Sequence, residues 1–196
     1  MTKTVEFFYD FGSPTVYLAA TQLPAVADQA GAIIDWRPML LGGVFKSTGN
    51  QSPVVVPAKA AYMNVDLERF AERYGVPFRF NPYFPINTLA LMRGAVAYQD
   101  DPAVSSTYRD AIFTAIWVEA QNLNEPDVVE QVLSDAGLDP AELVSRIGQQ
   151  AVKDRLIANT EEAVNRGAFG APTFFVGEQM FFGQDRLDFV AEALSG

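Results

Sequence analysis

The chain has 196 residues, 49% hydrophobic and 19% charged, a globular composition long enough to bury a full core. Its formal charge of −10, from 24 acidic against 14 basic residues, repels phosphate backbones and anionic lipids, so neither nucleic acid nor a membrane is expected as a partner. Histidine and cysteine are both absent, which excludes Ser-His-Asp triads, metal sites built on imidazole or thiolate, disulfides and covalent cysteine chemistry; no metal is expected, and any sulfur chemistry needs an external thiol.

The start, Met1-Thr2-Lys3-Thr4-Val5-Glu6, lacks the apolar core of a signal peptide, and no apolar run reaches membrane-spanning length, so a soluble, cytoplasmic protein is expected. Val5 to Tyr9 is a short apolar and aromatic run suited to a buried strand. Ser13-Pro14 then opens a helix from Pro14 to about Ala30, carrying Val16, Leu18, Leu23 and Val26 and closed by Gly31. Ala32 to Arg37 reads as a second strand stopped by Pro38, giving a β-α-β start whose strands run parallel with a right-handed crossover. From Leu41 to Pro57 the chain is rich in Gly, Ser and Pro and reads as a loop.

The middle is helical. Leu67, Phe70, Ala71 and Tyr74 recur at helical spacing before Gly75 and Pro77, as do Phe113, Ile116 and Trp117, and then Val128, Val129, Val132 and Leu133 before Gly137 and Pro140. These stripes read as core faces. After Gly170-Ala171-Pro172 the strand pattern returns in Thr173 to Val176 and Gln179 to Phe182, separated by a Gly177-Glu178 turn, and Leu187, Val190, Ala191 and Leu194 mark a last helix. The order β-α-β, helical block, β-β-α is that of an α/β thioredoxin-like fold with a helical domain inserted between its halves: residues 1–55 and 168–196 form the thioredoxin-like part, and 56–167 the insertion.

A strand-to-helix turn with proline in the first helical turn is where thioredoxin-like proteins hold a reactive Cys-x-x-Cys. Here the four positions read Ser13-Pro14-Thr15-Val16. Without an imidazole a serine is a poor nucleophile, so Ser13 is either a plain N-cap or, beside free helix amides, a holder for an anion brought from outside. The second reading makes it a site for a borrowed thiolate.

Four segments in order, Lys3 to Pro14, Gly49-Asn50-Gln51-Ser52-Pro53 through Lys59, Gly167 to Pro172, and Phe182-Gly183-Gln184-Asp185-Arg186, resemble the kappa-class glutathione transferases and the bacterial 2-hydroxychromene-2-carboxylate isomerases, a branch of the DsbA-like proteins. The resemblance covers nearly the whole chain and implies glutathione as cofactor, a small aromatic or electrophilic second substrate and a homodimer. It implies that Ser13 contacts the glutathione sulfur as an activator, and that Asn50 and Lys59 help hold glutathione and its acidic groups. It further implies that Ala171 precedes a cis-proline, Pro172, and pairs through its backbone with the cysteinyl unit, while Gln184 and Asp185 bind the γ-glutamyl end.

Lys46 is a candidate for a carboxylate of the second substrate, and Phe45, Tyr83, Phe84 and Trp117 are candidates for an aromatic pocket, with core packing as the competing role. The residues after Ser13-Pro14 are Thr15-Val16 where many family members have an aromatic and then Ser, and the loop after Asn50 lacks the Asn-Arg pair associated with the naphthalene-pathway isomerase. Both differences bear on the second substrate. The leading expectation is a glutathione-dependent cis/trans isomerase of aryl enone acids, with a kappa-class transferase or peroxidase, or a glutathione-binding protein without turnover, as alternatives.

Overall fold

A computed structural model describes residues 2–196. Strand β1 (Thr4–Tyr9) leads into α1 (Pro14–Gln29) and then β2 (Ile33–Pro38), which pairs parallel to β1 with Phe7 opposite Trp36. Strands β3 (Thr173–Val176) and β4 (Gln179–Phe182) complete a four-stranded sheet in the order β2-β1-β3-β4, both added antiparallel. A final helix, α9 (Leu187–Ser195), packs on α1. This is a thioredoxin-like arrangement, as the order of elements in the sequence predicts.

Between β2 and β3 run α2 (Leu41–Thr48), α3 (Pro57–Tyr74), α4 (Leu89–Ala97), α5 (Pro102–Trp117), α6 (Pro126–Asp135), α7 (Pro140–Ile147) and α8 (Gln150–Asn165). Five of the chain's helices carry proline in the first turn after an extended N-cap, where the missing N–H costs nothing and φ is already set. The stripes read from the sequence lie on α3, α5 and α6, and Leu67, Ile116, Trp117 and Leu133 are buried as expected of core faces.

The segment expected to be a loop from Leu41 to Pro57 instead contains α2 and a short 3-10 turn at Pro53–Val55. Gly42 and Gly43 weaken intrinsic helicity, but α2 packs on α8, and Gly43 lies so close to Thr160 that an added Cβ would sit 3.1 Å from its methyl group. Tertiary contact here overrides propensity, and glycine is the residue that permits the approach.

The sheet and the helical segment share one continuous core. Phe7 stacks on Phe174 at 4.9 Å between ring centroids, and Phe11 meets Phe113 of α5 at 4.8 Å. Such aromatic pairs add roughly 0.5–1.5 kcal/mol each beyond burial. The end of β1, where α1 begins, is thereby clamped from both sides.

Candidate functional site

The turn Asp10-Phe11-Gly12-Ser13 joins β1 to α1, and its backbone is anchored on every side. The carboxylate of Asp10, 1% exposed, accepts from Gly12 N at 2.9 Å and from Leu41 N at 2.8 Å, binding the turn to the start of α2. Burial pushes its pKa up from the ordinary carboxylate value, against the lowering effect of those two amides and the Thr88 hydroxyl. Trp117 Nε1 donates to Phe11 O at 2.8 Å, and Ser13 N donates to Asp10 O at 3.2 Å.

Ser13 caps α1 in an extended conformation, and Val16 N donates to its Oγ at 3.4 Å. The first turn of α1 carries no acidic side chain of its own, so its free amides keep the positive end of the helix dipole turned toward the cleft. Ser13 Oγ lies 2.9 Å from Thr15 Oγ1, and each hydroxyl is also within reach of Ala171 O, at 3.4 and 3.3 Å, as an alternative acceptor for its single proton. The Ala171-Pro172 bond is cis, as the resemblance implied, and faces Ser13 across the cleft. Asn50 closes a third side: its Nδ2 donates to Phe169 O at 2.8 Å, and its Oδ1 accepts from Gln51 N at 2.9 Å. The left-handed C-cap at Gly49, φ 72°, turns α2 back so that Asn50 reaches this position.

These residues bound a cavity of about 180 Å³. Its polar end is formed by Ser13, Thr15, Asn50 and Ala171, and its walls by Leu41, Phe45, Met63, Phe80, Phe84 and Phe182. An anion seated at the helix end would meet hydroxyl donors, and an aromatic body would meet apolar walls.

Not every residue singled out in the sequence belongs to this cavity. Ser13, Asn50, Ala171, Phe45 and Phe84 line it, and Pro172 is buried beside it. Trp117 does not: it is fully buried, it packs behind Phe80 and Phe84 at ring distances of 6.2 and 6.3 Å, and it serves the turn through Phe11. Tyr83 is 51% exposed and is not part of the cavity lining, its peptide N–H held by Asn81 Oδ1. Lys46 lies on the other face of α2, in a second cavity with Arg93 and Lys153, because Leu41 and Phe45 occupy the face toward Ser13. Lys59 is exposed in the first turn of α3, outside the lining.

Gln184 and Asp185 form a 3-10 turn after β4 and line a separate cavity with Phe70, Arg73 and Tyr74. Tyr74 donates its hydroxyl to Gln184 O at 3.1 Å, and Asp185 pairs with Arg186 at 2.5 Å. Gly183, φ 99°, makes the turn possible and donates its N–H to Pro172 O at 3.0 Å, so the two regions are joined through the backbone.

Sequence reading noted Thr15 only as a difference bearing on the second substrate, and it did not single out Leu41, Met63 or Phe80 as cavity residues. Thr15 carried a usable signal, a second hydroxyl in the first turn of the Ser13 helix; the others became visible only once α2 and α3 were in place.

The family described as DSBA-like thioredoxin domain matches residues 4–195. A 2-hydroxychromene-2-carboxylate isomerase of Sphingobium xenophagum is 34% identical over 197 residues, covering 99% of each chain. The human glutathione S-transferase kappa 1 is 28% identical over 207 residues, covering 99% of this chain and 92% of that one. A solved 2-hydroxychromene-2-carboxylate isomerase superposes with a TM-score of 0.87 at 30% identity, covering 97% of this chain and 94% of its own. The chain therefore belongs to the DsbA-like thioredoxin family, in the branch of enzymes that holds the 2-hydroxychromene-2-carboxylate isomerases and the kappa-class glutathione transferases.

Proposed function

We propose that the protein is a glutathione-dependent cis/trans isomerase of aryl enone acids. The observation that carries this reading is the Ser13 hydroxyl at the bare N-terminus of α1, paired with Thr15 and facing Ala171 in an aromatic-walled cavity of a chain that has neither cysteine nor histidine.

The residues fit glutathione. Ser13 and Thr15 form a hydrogen-bonded hydroxyl pair that leaves one proton to donate at a helix end favouring negative charge, the environment that lowers thiol pKa values. Bound there, glutathione would supply a thiolate that adds reversibly to the conjugated double bond of the substrate and leaves after rotation about what has become a single bond.

Ser13 holds the sulfur as its anion and is not itself modified, since no imidazole or thiol is present to deprotonate it. Ala171 offers its backbone to the cysteinyl unit in the manner of an added strand. Asn50 keeps the loop after α2 against Phe169 and so holds that side of the cavity closed. Gln184 and Asp185, two and three residues beyond the cavity-lining Phe182, lie at most roughly 7–10 Å from it, within reach of the γ-glutamyl end of an extended tripeptide. Lys59 contributes a point charge at longer range.

Phe45, Phe80 and Phe84 exclude water from the reacting carbons and take the aryl body. Trp117, packed behind them, fixes their positions.

The test is incubation of the protein with glutathione and a panel of aryl enone acids, chlorinated aromatics and peroxides, following both partners by chromatography. Isomerised acid with glutathione recovered unchanged supports the reading. Consumed glutathione assigns the protein to the transferases or peroxidases, and calorimetric binding without turnover reduces it to a glutathione-binding protein.

A further inference from the structure

Helix α2 separates two cavities. The one away from Ser13 has a volume of about 450 Å³ and lies between α2, α4 and α8. Three cations line it: Lys46 from α2, Arg93 from α4 and Lys153 from α8. A protein with only 14 basic residues against 24 acidic ones places three of them around one space. Among the described residues none of the three lies within 4.0 Å of a carboxylate, whereas Arg37, Arg146, Arg155, Arg166 and Arg186 all form ion pairs. Glu161, exposed, is the one acid in the lining and pairs with none of them, so the lining carries three cations against one carboxylate. Arg93 Nε is shielded from solvent and has no hydrogen-bond partner within the protein.

Apart from the hydroxyls of Ser47 and Thr160, the remaining walls of this cavity are mostly apolar, with Leu40, Leu89, Leu156 and the half-exposed Ile157. Leu89 and Arg93 also line the adjoining groove of about 330 Å³ between α4, α6 and α7, whose other walls include Val129, Leu133, Leu143 and Val144. Val144 is 61% exposed there and Ile157 54% exposed next door, so apolar surface runs along the mouth of both spaces. Cationic head and apolar trough thus meet at Arg93.

We propose that this trough binds an organic anion, a carboxylate carried on an extended aryl or acyl body, with the head between Lys46, Arg93 and Lys153 and the body along the α4–α6–α7 groove. Arginine offers the carboxylate a planar pair of donors while the lysines act as point charges. A polyphosphate suits the trough less well, because beyond the three cations the lining offers only the hydroxyls of Ser47 and Thr160, the amides of Asn87 and Asn124 and the carboxylate of Glu161, and the rest is largely hydrocarbon. The Ser13 cavity is on the opposite face of α2, so occupancy of one leaves the other open.

The experiment is titration calorimetry of the intact protein with octanoate and 2-naphthoate, using 1-octanol and 2-naphthamide as uncharged counterparts, with and without saturating glutathione. The acids are expected to bind irrespective of glutathione. Arg93→Gln and Lys153→Gln should each weaken them by about tenfold or more, and Arg93→Lys should recover part of the loss. Hydrogen exchange on the parent protein, which needs no variant to fold, should show octanoate protecting α4 and α8. Equal binding of the uncharged counterparts, displacement of the acids by glutathione, or protection confined to α1 and β3 would overturn the proposal. So would a Lys153→Glu variant that passes from dimer to monomer in sedimentation, which would assign the face to a second copy of the chain.

Discussion

The hydroxyls of Ser13 and Thr15 lie 2.9 Å apart at the start of α1. Only one of them can donate along that contact, so the pair orients as a unit, and an anion arriving at the helix end receives a donor already aimed by its neighbour. Ser13→Ala should raise the pKa of bound glutathione and lower kcat by roughly 10–100-fold, the worth of one hydrogen bond to a charged group. Its cost in stability should be small, about 0.5 kcal/mol, because the capping bond from Val16 N is long at 3.4 Å. Thr15→Val should shift the same titration less, and Thr15→Ser should restore it. Thiolate absorbance against pH checks this; curves that coincide for parent and Ser13→Ala would remove Ser13 from the chemistry.

Asp10 yields a pH dependence whose sign follows from burial. Its folded pKa is raised, so its favourable contribution is complete below the unfolded value near 3.9 and fades as pH rises through the folded value. Asp10→Asn does not titrate and loses one acceptor for Gly12 N or Leu41 N, a constant penalty of about 1–3 kcal/mol. The stability advantage of the parent over Asp10→Asn should therefore shrink from acid toward neutral pH in urea unfolding. An advantage that grows over that range would mean that the carboxylate is held charged.

Trp117 acts on the site through Phe11 and the aromatic wall. Trp117→Phe should destabilise by about 2–4 kcal/mol, since it opens a void and leaves the Phe11 carbonyl unpaired in a fully buried setting. KM for the second substrate should stay within about threefold of the parent, well short of the loss expected when a buried aromatic contact to a ligand is removed. A large rise in KM with little loss of stability would restore Trp117 as a direct contact.

Gly170 is close-packed under the ring of Phe182, where an added Cβ would sit 2.9 Å from Cε2. Phe182 is 39% exposed and can swing outward, so Gly170→Ala should cost about 1 kcal/mol, the low end of overpacking penalties. Because both residues line the Ser13 cavity, the same change should weaken glutathione binding several-fold by calorimetry. Unaltered affinity would show that the ligand does not use this wall.

Local rules made much of the framework legible. β1, the Ser13-Pro14 entry to α1, the glycine closures after α1 and α3, and the β3–β4 hairpin each follow from short-range preferences of the residues concerned, and the absence of cysteine and histidine alone ruled out most nucleophilic chemistry. The four family segments added the cis bond at Pro172 and the placing of Asn50 and Ala171 beside Ser13. What lay outside the reach of sequence is everything that depends on which face of an element meets another. Helix α2 packs closely on α8 at Gly43, and only that packing decides that Phe45 faces Ser13 while Lys46 faces the cavity it shares with Arg93 and Lys153. Trp117 carries the periodicity of a core residue and the chemistry of a pocket residue, and its partner, Phe11 O, is 106 positions away. Spacing reports the backbone's local conformation, whereas burial, cavity lining and the raised pKa of Asp10 arise from long-range packing that excludes water from particular atoms.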